Sequence, residues 1–288
     1  MKENNLIQPT YVMVKKFLKE AGIDSPAFDA AKIISHCTRI DRQRMIMYPE
    51  KKITKEQFEK IKDKMVLRAK GVPLQYILGE WEFMGRVFEV GEGVLIPRDD
   101  TEVLVNEAVL FLKEIYQKRP IKVLELCAGS GIVSITLGKM FPNLQICALE
   151  VSDEACSFFM RNVEKHNVKN VELKKYDIRS GPEIEWISNF DLLVSNPPYI
   201  PDAEVELLQK EVQYEPKLAL CGGSDGLDFY RLIAQKWMQV LKNKGKAFFE
   251  IGIGQSLDVS DIFFEKGYEQ ISVTKDVNYI DRVIGVFL

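Results

Sequence analysis

The chain has 288 residues, 46% hydrophobic and 28% charged, with a formal net charge of −3. That length carries one large or two modest domains with a sizeable core, and the balance is that of a globular protein. No apolar run approaches the ~20 residues that span a bilayer, and Met1 to Asn5 lack the apolar stretch of a signal peptide, so a cytoplasmic protein without membrane attachment is expected.

Residues 6–70 read as short helices. Tyr11, Val14, Phe17 and Leu18 fall on one helical face. Ser25-Pro26 resembles a helix start, with Ser25 as cap and Pro26 in the first turn, and Ala27 to Cys37 continues it. Thr54 to Gln57 offers a capping box ahead of a helix with Phe58, Ile61 and Met65 on one side. This stretch is basic: residues 1–75 hold 16 Lys and Arg against 9 Asp and Glu, net +7, whereas the remainder holds 23 against 33, net −10. The excess reads either as a solvated helical surface or as a face for an acidic partner. The acidic remainder is poorly suited to gripping duplex DNA.

Gly71-Val72-Pro73 breaks the helical pattern. Short β-like runs follow at Gln75–Leu78, Trp81–Phe83 and Arg86–Val90, read as a hairpin linker closing on Leu95-Ile96-Pro97-Arg98. Asp99-Asp100-Thr101 then offers a cap for a helix to about Gln117. From residue 120 onward strands are expected at 121–127, 145–150, 171–175, 190–195 and 245–251. Helices are expected at 132–140, 153–166, 226–242 and 255–266, and a terminal hairpin at 270–274 and 282–288. This alternation predicts an α/β fold: a seven-stranded, mostly parallel sheet covered on both faces, with ligands at the carboxyl ends of its strands. The five cysteines show no CxxC spacing, and His36 and His166 lie far apart in helical segments, so neither a disulfide framework nor a metal site is expected.

The first strand of the sheet runs into Cys127-Ala128-Gly129-Ser130-Gly131. The two glycines permit close approach of a ligand to the backbone. The third position of GxGxxG is Ser134, which weakens a nicotinamide reading. Glu150 ends the next strand, where a carboxylate can accept both hydroxyls of a ribose, and Asp177 follows the third, placed to meet an exocyclic amine. Glu125 lies in an apolar strand, where a carboxylate is costly unless paired. Each acid alone reads equally well as a loop or helix cap. Together with the glycine turn they favour an adenosine ligand carrying positive charge, as in S-adenosylmethionine.

Ser195-Asn196-Pro197-Pro198-Tyr199-Ile200 follows the apolar run Phe190 to Val194. Each proline fixes its own φ, removes an N–H and holds the preceding residue extended. The turn thus offers carbonyl acceptors plus the Asn196 amide oxygen, a set able to grip both hydrogens of one –NH₂ group while the Tyr199 ring packs on the flat group carrying it. Acceptors so placed turn the nitrogen lone pair outward and stabilise positive charge developing on it. The plainer reading is a strand-terminating turn.

Asn196 to Tyr199 resembles the signature of methyltransferases acting on planar nitrogens. Arg68 to Gly79, Phe83, Leu95 to Arg98 and Asp100-Thr101-Glu102 are similar to the linker of the release-factor glutamine N5-methyltransferases. Glu215-Pro216, Ala219-Leu220, Gly223 to Leu227, Glu250-Ile251-Gly252 and Asp281-Arg282 are similar to later stretches of that family. The resemblance implies a Rossmann-like methyltransferase domain at 98–288, a hairpin linker at 74–97 and a helical substrate-recognition domain at 1–73. It implies transfer of methyl from S-adenosylmethionine, leaving S-adenosylhomocysteine, to the glutamine of a Gly-Gly-Gln motif in a bacterial release factor, by a cytoplasmic monomer that binds no DNA. By the same resemblance, Glu125, Cys127, Ala128, Gly129, Ser130, Gly131, Glu150, Asp177, Ile178 and Asn196 would hold the cofactor, with no metal, and Asn196, Pro197, Pro198 and Tyr199 would hold the glutamine amide. The chain departs from the family pattern at Asp99, where proline is common, and in its first loop, where Glu125, Cys127 and Ala128 stand for Asp, Gly and Thr. Rival readings are a glutamine methyltransferase of a ribosomal protein, an adenine N6-methyltransferase and a non-catalytic cofactor-sensing module.

Overall fold

The computed structural model describes residues 5–116 and 120–288. The leader reading of Met1 to Asn4 and the expected helix end at Gln117 lie outside those residues. The described residues pack as two compact units, one of Met1–Gly79 with Gln209–Tyr214 and one of Glu80–Leu208 with Glu215–Leu288.

The first unit holds α1 (Ile7–Glu20), α2 (Pro26–Thr38), α3 (Arg42–Met47), α4 (Lys55–Ala69) and α5 (Leu74–Leu78). The buried stripe of α1 is Ile7, Thr10, Val14 and Leu18, so the expected face shifts by one position and Phe17 turns outward. Thr54 and Gln57 form the expected capping box. Ser25 makes no side-chain cap, and Pro26 alone opens α2. The β-like run at Gln75–Leu78 is a helical turn instead. Leu74 and Ile77 recur at helical spacing on the buried side, and Gly79, at φ 77°, closes the turn with its N–H on the Gln75 carbonyl. A buried ion cluster ties the unit together. Arg68, 4% exposed, meets Asp29 at 2.6 Å, donates to the Val72 carbonyl and pairs with Glu211 of the returning segment.

The second unit begins with the expected hairpin, β1 (Glu80–Phe83) and β2 (Arg86–Glu89). Its two-residue turn, Met84-Gly85, has positive φ at both positions, which suits the twist of a tight antiparallel pair. There follow α6 (Thr101–Ile115), β3 (Ile121–Leu126), α7 (Ile132–Met140), β4 (Leu144–Glu150), α8 (Asp153–His166), β5 (Val171–Lys175) and β6 (Phe190–Ser195). Short helices α9 (Asp202–Val205), α10 (Lys217–Leu220) and α11 (Asp228–Leu232) precede β7 (Leu241–Glu250), α12 (Ser256–Phe264), β8 (Gln270–Lys275) and β9 (Asp281–Phe287). Among the described residues the sheet has seven strands in the order β5-β4-β3-β6-β7-β9-β8, parallel but for β9. The order reverses between β3 and β6, and their carboxyl ends flank the crevice where ligands of such sheets bind.

Two expectations are corrected here. The helix read at 226–242 is α11, then a π turn at Ile233–Trp237 and a 3₁₀ turn at Met238–Val240. It stops where Leu241 turns extended and joins β7. Asp99-Asp100-Thr101 provides no side-chain cap for α6; Asp100 pairs with Arg282 at 3.2 Å instead. Arg68→Ala would leave Asp29 buried without its cation, and is expected to cost about 3–5 kcal/mol. Urea unfolding followed by circular dichroism measures this, and a loss below about 1 kcal/mol would contradict the cluster's structural role.

Candidate active site

The site grows from four strand ends. β3 is buried along almost its whole length, and the chain leaves it through Cys127 at φ 58°, Gly129 at φ 56° and Gly131 at φ 84°. The left-handed conformation of Cys127 costs a side-chain-bearing residue about 1–2 kcal/mol, at the position where the resemblance leads one to expect glycine. A Cβ on Gly131 would lie 2.8 Å from the Phe159 ring, whereas one on Gly129 would meet nothing within 4 Å. The first glycine therefore allows the loop to pack on α8, and the second leaves the loop open to a ligand. Asn162, fully buried on α8, donates to the Ser130 carbonyl at 3.0 Å and exchanges two hydrogen bonds with the Glu89 backbone, which fixes both the loop and the hairpin.

A cleft opens over this loop. Its walls include Gly93 to Leu95, Cys127, Gly129, Leu149 to Ser152, Tyr176 to Arg179, Asn196, Pro198, Leu218 and Phe229. Of the residues predicted from sequence, Cys127, Gly129, Glu150, Asp177, Ile178 and Asn196 thus meet in one cavity. Glu125, Ala128 and Ser130 line an adjoining hollow that also touches Cys127, Gly129 and Asn196. Leu95, Leu218 and Phe229 were not singled out. Leu95 belongs to the quoted Leu95–Arg98 stretch, which the buried Glu215 carboxylate fixes by accepting from the Ile96 N–H at 2.9 Å and pairing with Arg98.

The carboxylates differ. Glu150 is held by three backbone donors: Gly129 at 2.8 Å on one oxygen, Val151 at 2.8 Å and Ser152 at 2.9 Å on the other. Its rotamer is set, and the oxygen bonded to Gly129 keeps a lone pair for a further donor. Asp177 is half exposed and chelates Arg179 at 2.9–3.0 Å, which holds its carboxyl below the ordinary range. Glu125, 3% exposed, accepts from the Ser134 N–H at 3.0 Å and from its hydroxyl. Burial still pushes it from 4.5 to about 8. The Cys127 thiol is also pushed up, by burial first and by Glu150 next, and is a poor nucleophile.

β6 is buried along all six residues and ends in the Asn-Pro-Pro-Tyr turn. Among the described residues no donor reaches the carbonyl of Pro197 or Pro198. Asn196 donates through Nδ2 to the Thr101 hydroxyl at 3.2 Å, which leaves its Oδ1 as the free end of the carboxamide. Tyr199 packs on the core beside Gly252, and its carbonyl accepts from the Gln255 amide at 2.9 Å. Its ring is absent from the cleft wall. Burial, then the nearby Glu250, pushes its phenol well up, so it stays protonated. A nucleoside carrying a cation fits this set. Gly129 gives room against the backbone, Glu150 presents acceptors, Leu149, Ile178, Leu218 and Phe229 give flat apolar walls, and the surrounding carboxylates favour positive charge.

Residues 12–79 match the family model of the PrmC N-terminal domain, and residues 104–213 that of the methyltransferase small domain. The chain is 39% identical over 269 residues to the release factor glutamine methyltransferase of Clostridium botulinum, covering 93% of this chain and 94% of that one. It is 40% identical over 258 residues to its namesake from Thermodesulfovibrio yellowstonii, covering 89% and 90%. Among solved structures it is similar to the human methyltransferase 10 domain containing protein, with a TM-score of 0.52, 15% identity, and coverage of 78% and 96%, a likeness of fold.

The raised pKa of Glu125 predicts a stability signature in the ligand-free protein. The native state keeps this proton where the unfolded chain has lost it, so the stability it contributes is full below 4.5 and is lost as pH rises through about 8. Glu125→Gln mimics the protonated acid. Its melting temperature relative to the parent is expected to rise steadily between about pH 5 and pH 8. Parallel melting curves across that range would show that Glu125 is not held protonated.

Proposed function

The chain belongs to the family of release factor glutamine methyltransferases, and from that premise we propose that the Asn196–Tyr199 turn presents a glutamine side-chain amide to a methyl donor lying over the Cys127–Gly131 loop. The carrying observation is that Asn196 and Pro198 share one cleft wall with Gly129 and Glu150, while the two proline carbonyls are free of protein donors. S-adenosylmethionine, the donor that a methyltransferase of this fold uses, supplies an electrophilic methyl on a sulfonium. Glu150 would accept from the ribose hydroxyls, and Ile178 would pack on the adenine. Ile178 is well fixed for this, because its carbonyl accepts from the Trp237 indole at 2.8 Å. Asp177, engaged by Arg179, would meet the exocyclic amine through its remaining lone pairs.

A primary amide is a weak nucleophile because its nitrogen lone pair is delocalised into the carbonyl. Asn196 Oδ1 and a proline carbonyl, each taking one amide hydrogen, hold the nitrogen so that its lone pair faces the methyl. The same oxygens stabilise the positive charge that grows on nitrogen as the N–C bond forms and the S–C bond breaks. Fixed dipoles give this help without reorganisation, and alignment of two bound reactants contributes up to about 7–11 kcal/mol in favourable systems. The proton on nitrogen leaves after transfer, so no strong base is required. Tyr199, packed against the core and protonated, stands outside the cleft wall and is not that base. The protein substrate would be a peptide chain release factor bearing a Gly-Gly-Gln motif, and the basic helical unit would contribute to its binding by charge.

Transfer of tritiated methyl from S-adenosylmethionine tests this reading. A release factor is expected to take up label, and the same factor with its motif glutamine replaced by alanine is not. Label entering a ribosomal protein or DNA in preference to the release factor would overturn the substrate assignment. Asn196→Ala is expected to lower kcat by about 100-fold or more while the cofactor Kd changes by less than about threefold. Equal loss of both would move Asn196 from amide capture to cofactor binding.

A further inference from the structure

Two buried groups behind the Asn-Pro-Pro-Tyr turn have no part in that scheme. Ser195 of β6 lies in register with Phe249 of β7, so Asn196, just past the end of β6, follows beside Glu250, the last residue of β7. Glu250 is 1% exposed, and its Oε2 has no hydrogen-bond partner among the described residues. A half-satisfied buried carboxylate is expensive. The Thr101 hydroxyl and the Asn196 amide both lie within hydrogen-bonding reach of this carboxyl, and Thr101, 1% exposed at the start of α6, accepts from Asn196 Nδ2 at 3.2 Å.

We propose that Thr101 and Glu250 are positioning residues which fix the end of the Asn196 carboxamide that faces the cleft. The inference rests on the role given to Asn196 above. A carboxamide is nearly symmetric in shape, and its two ends differ only in hydrogen-bond polarity. With the oxygen outward, Asn196 accepts an amide hydrogen. With the nitrogen outward, it would present a second donor to a donor and repel the substrate. The polarity is set from behind. An ionised carboxylate only accepts, so the single Thr101 hydrogen points to Glu250. The Thr101 oxygen is then left to accept, and the only Asn196 group that can donate to it is Nδ2. Glu250 reinforces this by accepting from the same –NH₂ group. The side chain of Asn196 is thereby locked with Oδ1 outward, and the stability lost at Glu250 Oε2 is the cost of an acceptor-only group at that point.

The test uses the full chain at about pH 8, above the value of about 7 to which burial raises Glu250, so that the group is ionised. Thr101→Val keeps the shape and removes the hydroxyl, and Thr101→Ser restores the hydroxyl. Thr101→Val is expected to lower kcat for glutamine methylation at least about tenfold, with the S-adenosylmethionine Kd within about twofold of the parent, and Thr101→Ser to recover to within about threefold of the parent. Thr101→Val turning over like the parent, or Thr101→Ser falling as far as Thr101→Val, would overturn the proposal. A second readout needs no substrate. In protein labelled with ¹⁵N-asparagine, the Asn196 side-chain NH₂ signals are assigned by their loss in Asn196→Asp. Thr101→Val and Glu250→Gln should displace them, and Thr101→Ser should leave them in place. Signals unmoved in Thr101→Val would overturn the assignment, even if the parent transferred no methyl to glutamine and the functional reading itself failed.

Discussion

The rest of the site depends on a backbone constraint at the end of one buried strand. Two successive prolines fix φ at their own positions, hold Asn196 and Pro197 extended, and remove both N–H groups that could have turned the carbonyls inward. A flexible sequence at the same place would satisfy its carbonyls locally, as buried backbone almost always does. Here two carbonyls stay free of protein donors, on a turn whose Asn196 and Pro198 line the cleft, and the entropy of arranging them is lost at folding and not at substrate binding.

Around this turn the acidic groups divide by partner more than by position. Glu150 is locked by three backbone N–H groups and presents a defined edge to the cleft. Glu125 and Glu250 sit one layer deeper, where burial raises both. Glu125 supports the loop through Ser134 at the start of α7, and Glu250 supports the turn through Thr101 at the start of α6. Each half of the site is thus braced by a helix start carrying a hydroxyl and by a carboxyl hidden behind it. The rigidity needed to align two reactants comes from these braces as much as from the residues in the cleft.

Much of this was legible in the sequence because the signals were local. The central strands β3 and β6 are mostly apolar and buried, and the ranges expected for α7, α8, β5 and β6 are those found. The two glycines at 129 and 131 and the two prolines at 197 and 198 act through their own backbone, so their consequences could be read without knowing their neighbours. What escaped depended on distant partners. Asp100 looked like a cap until Arg282, far along the chain, took its carboxylate. Gln75–Leu78 has β-like composition, but Pro73 and Gly79 bound a stretch too short for composition to decide. Tyr199 packs against the core, where Gly252 leaves room for its ring. Glu215 and Glu250 could be quoted from the sequence only as familiar stretches, since their work is done on residues far away along the chain.

The most direct measurement is a crystal structure of the protein with S-adenosylhomocysteine and a peptide containing Gly-Gly-Gln. The account predicts one amide hydrogen of the glutamine on Asn196 Oδ1 and the other on a carbonyl of the proline pair, with the nitrogen facing the cofactor sulfur. A glutamine amide bound elsewhere in the cleft, or an Asn196 carboxamide turned with its nitrogen toward the peptide, would contradict it.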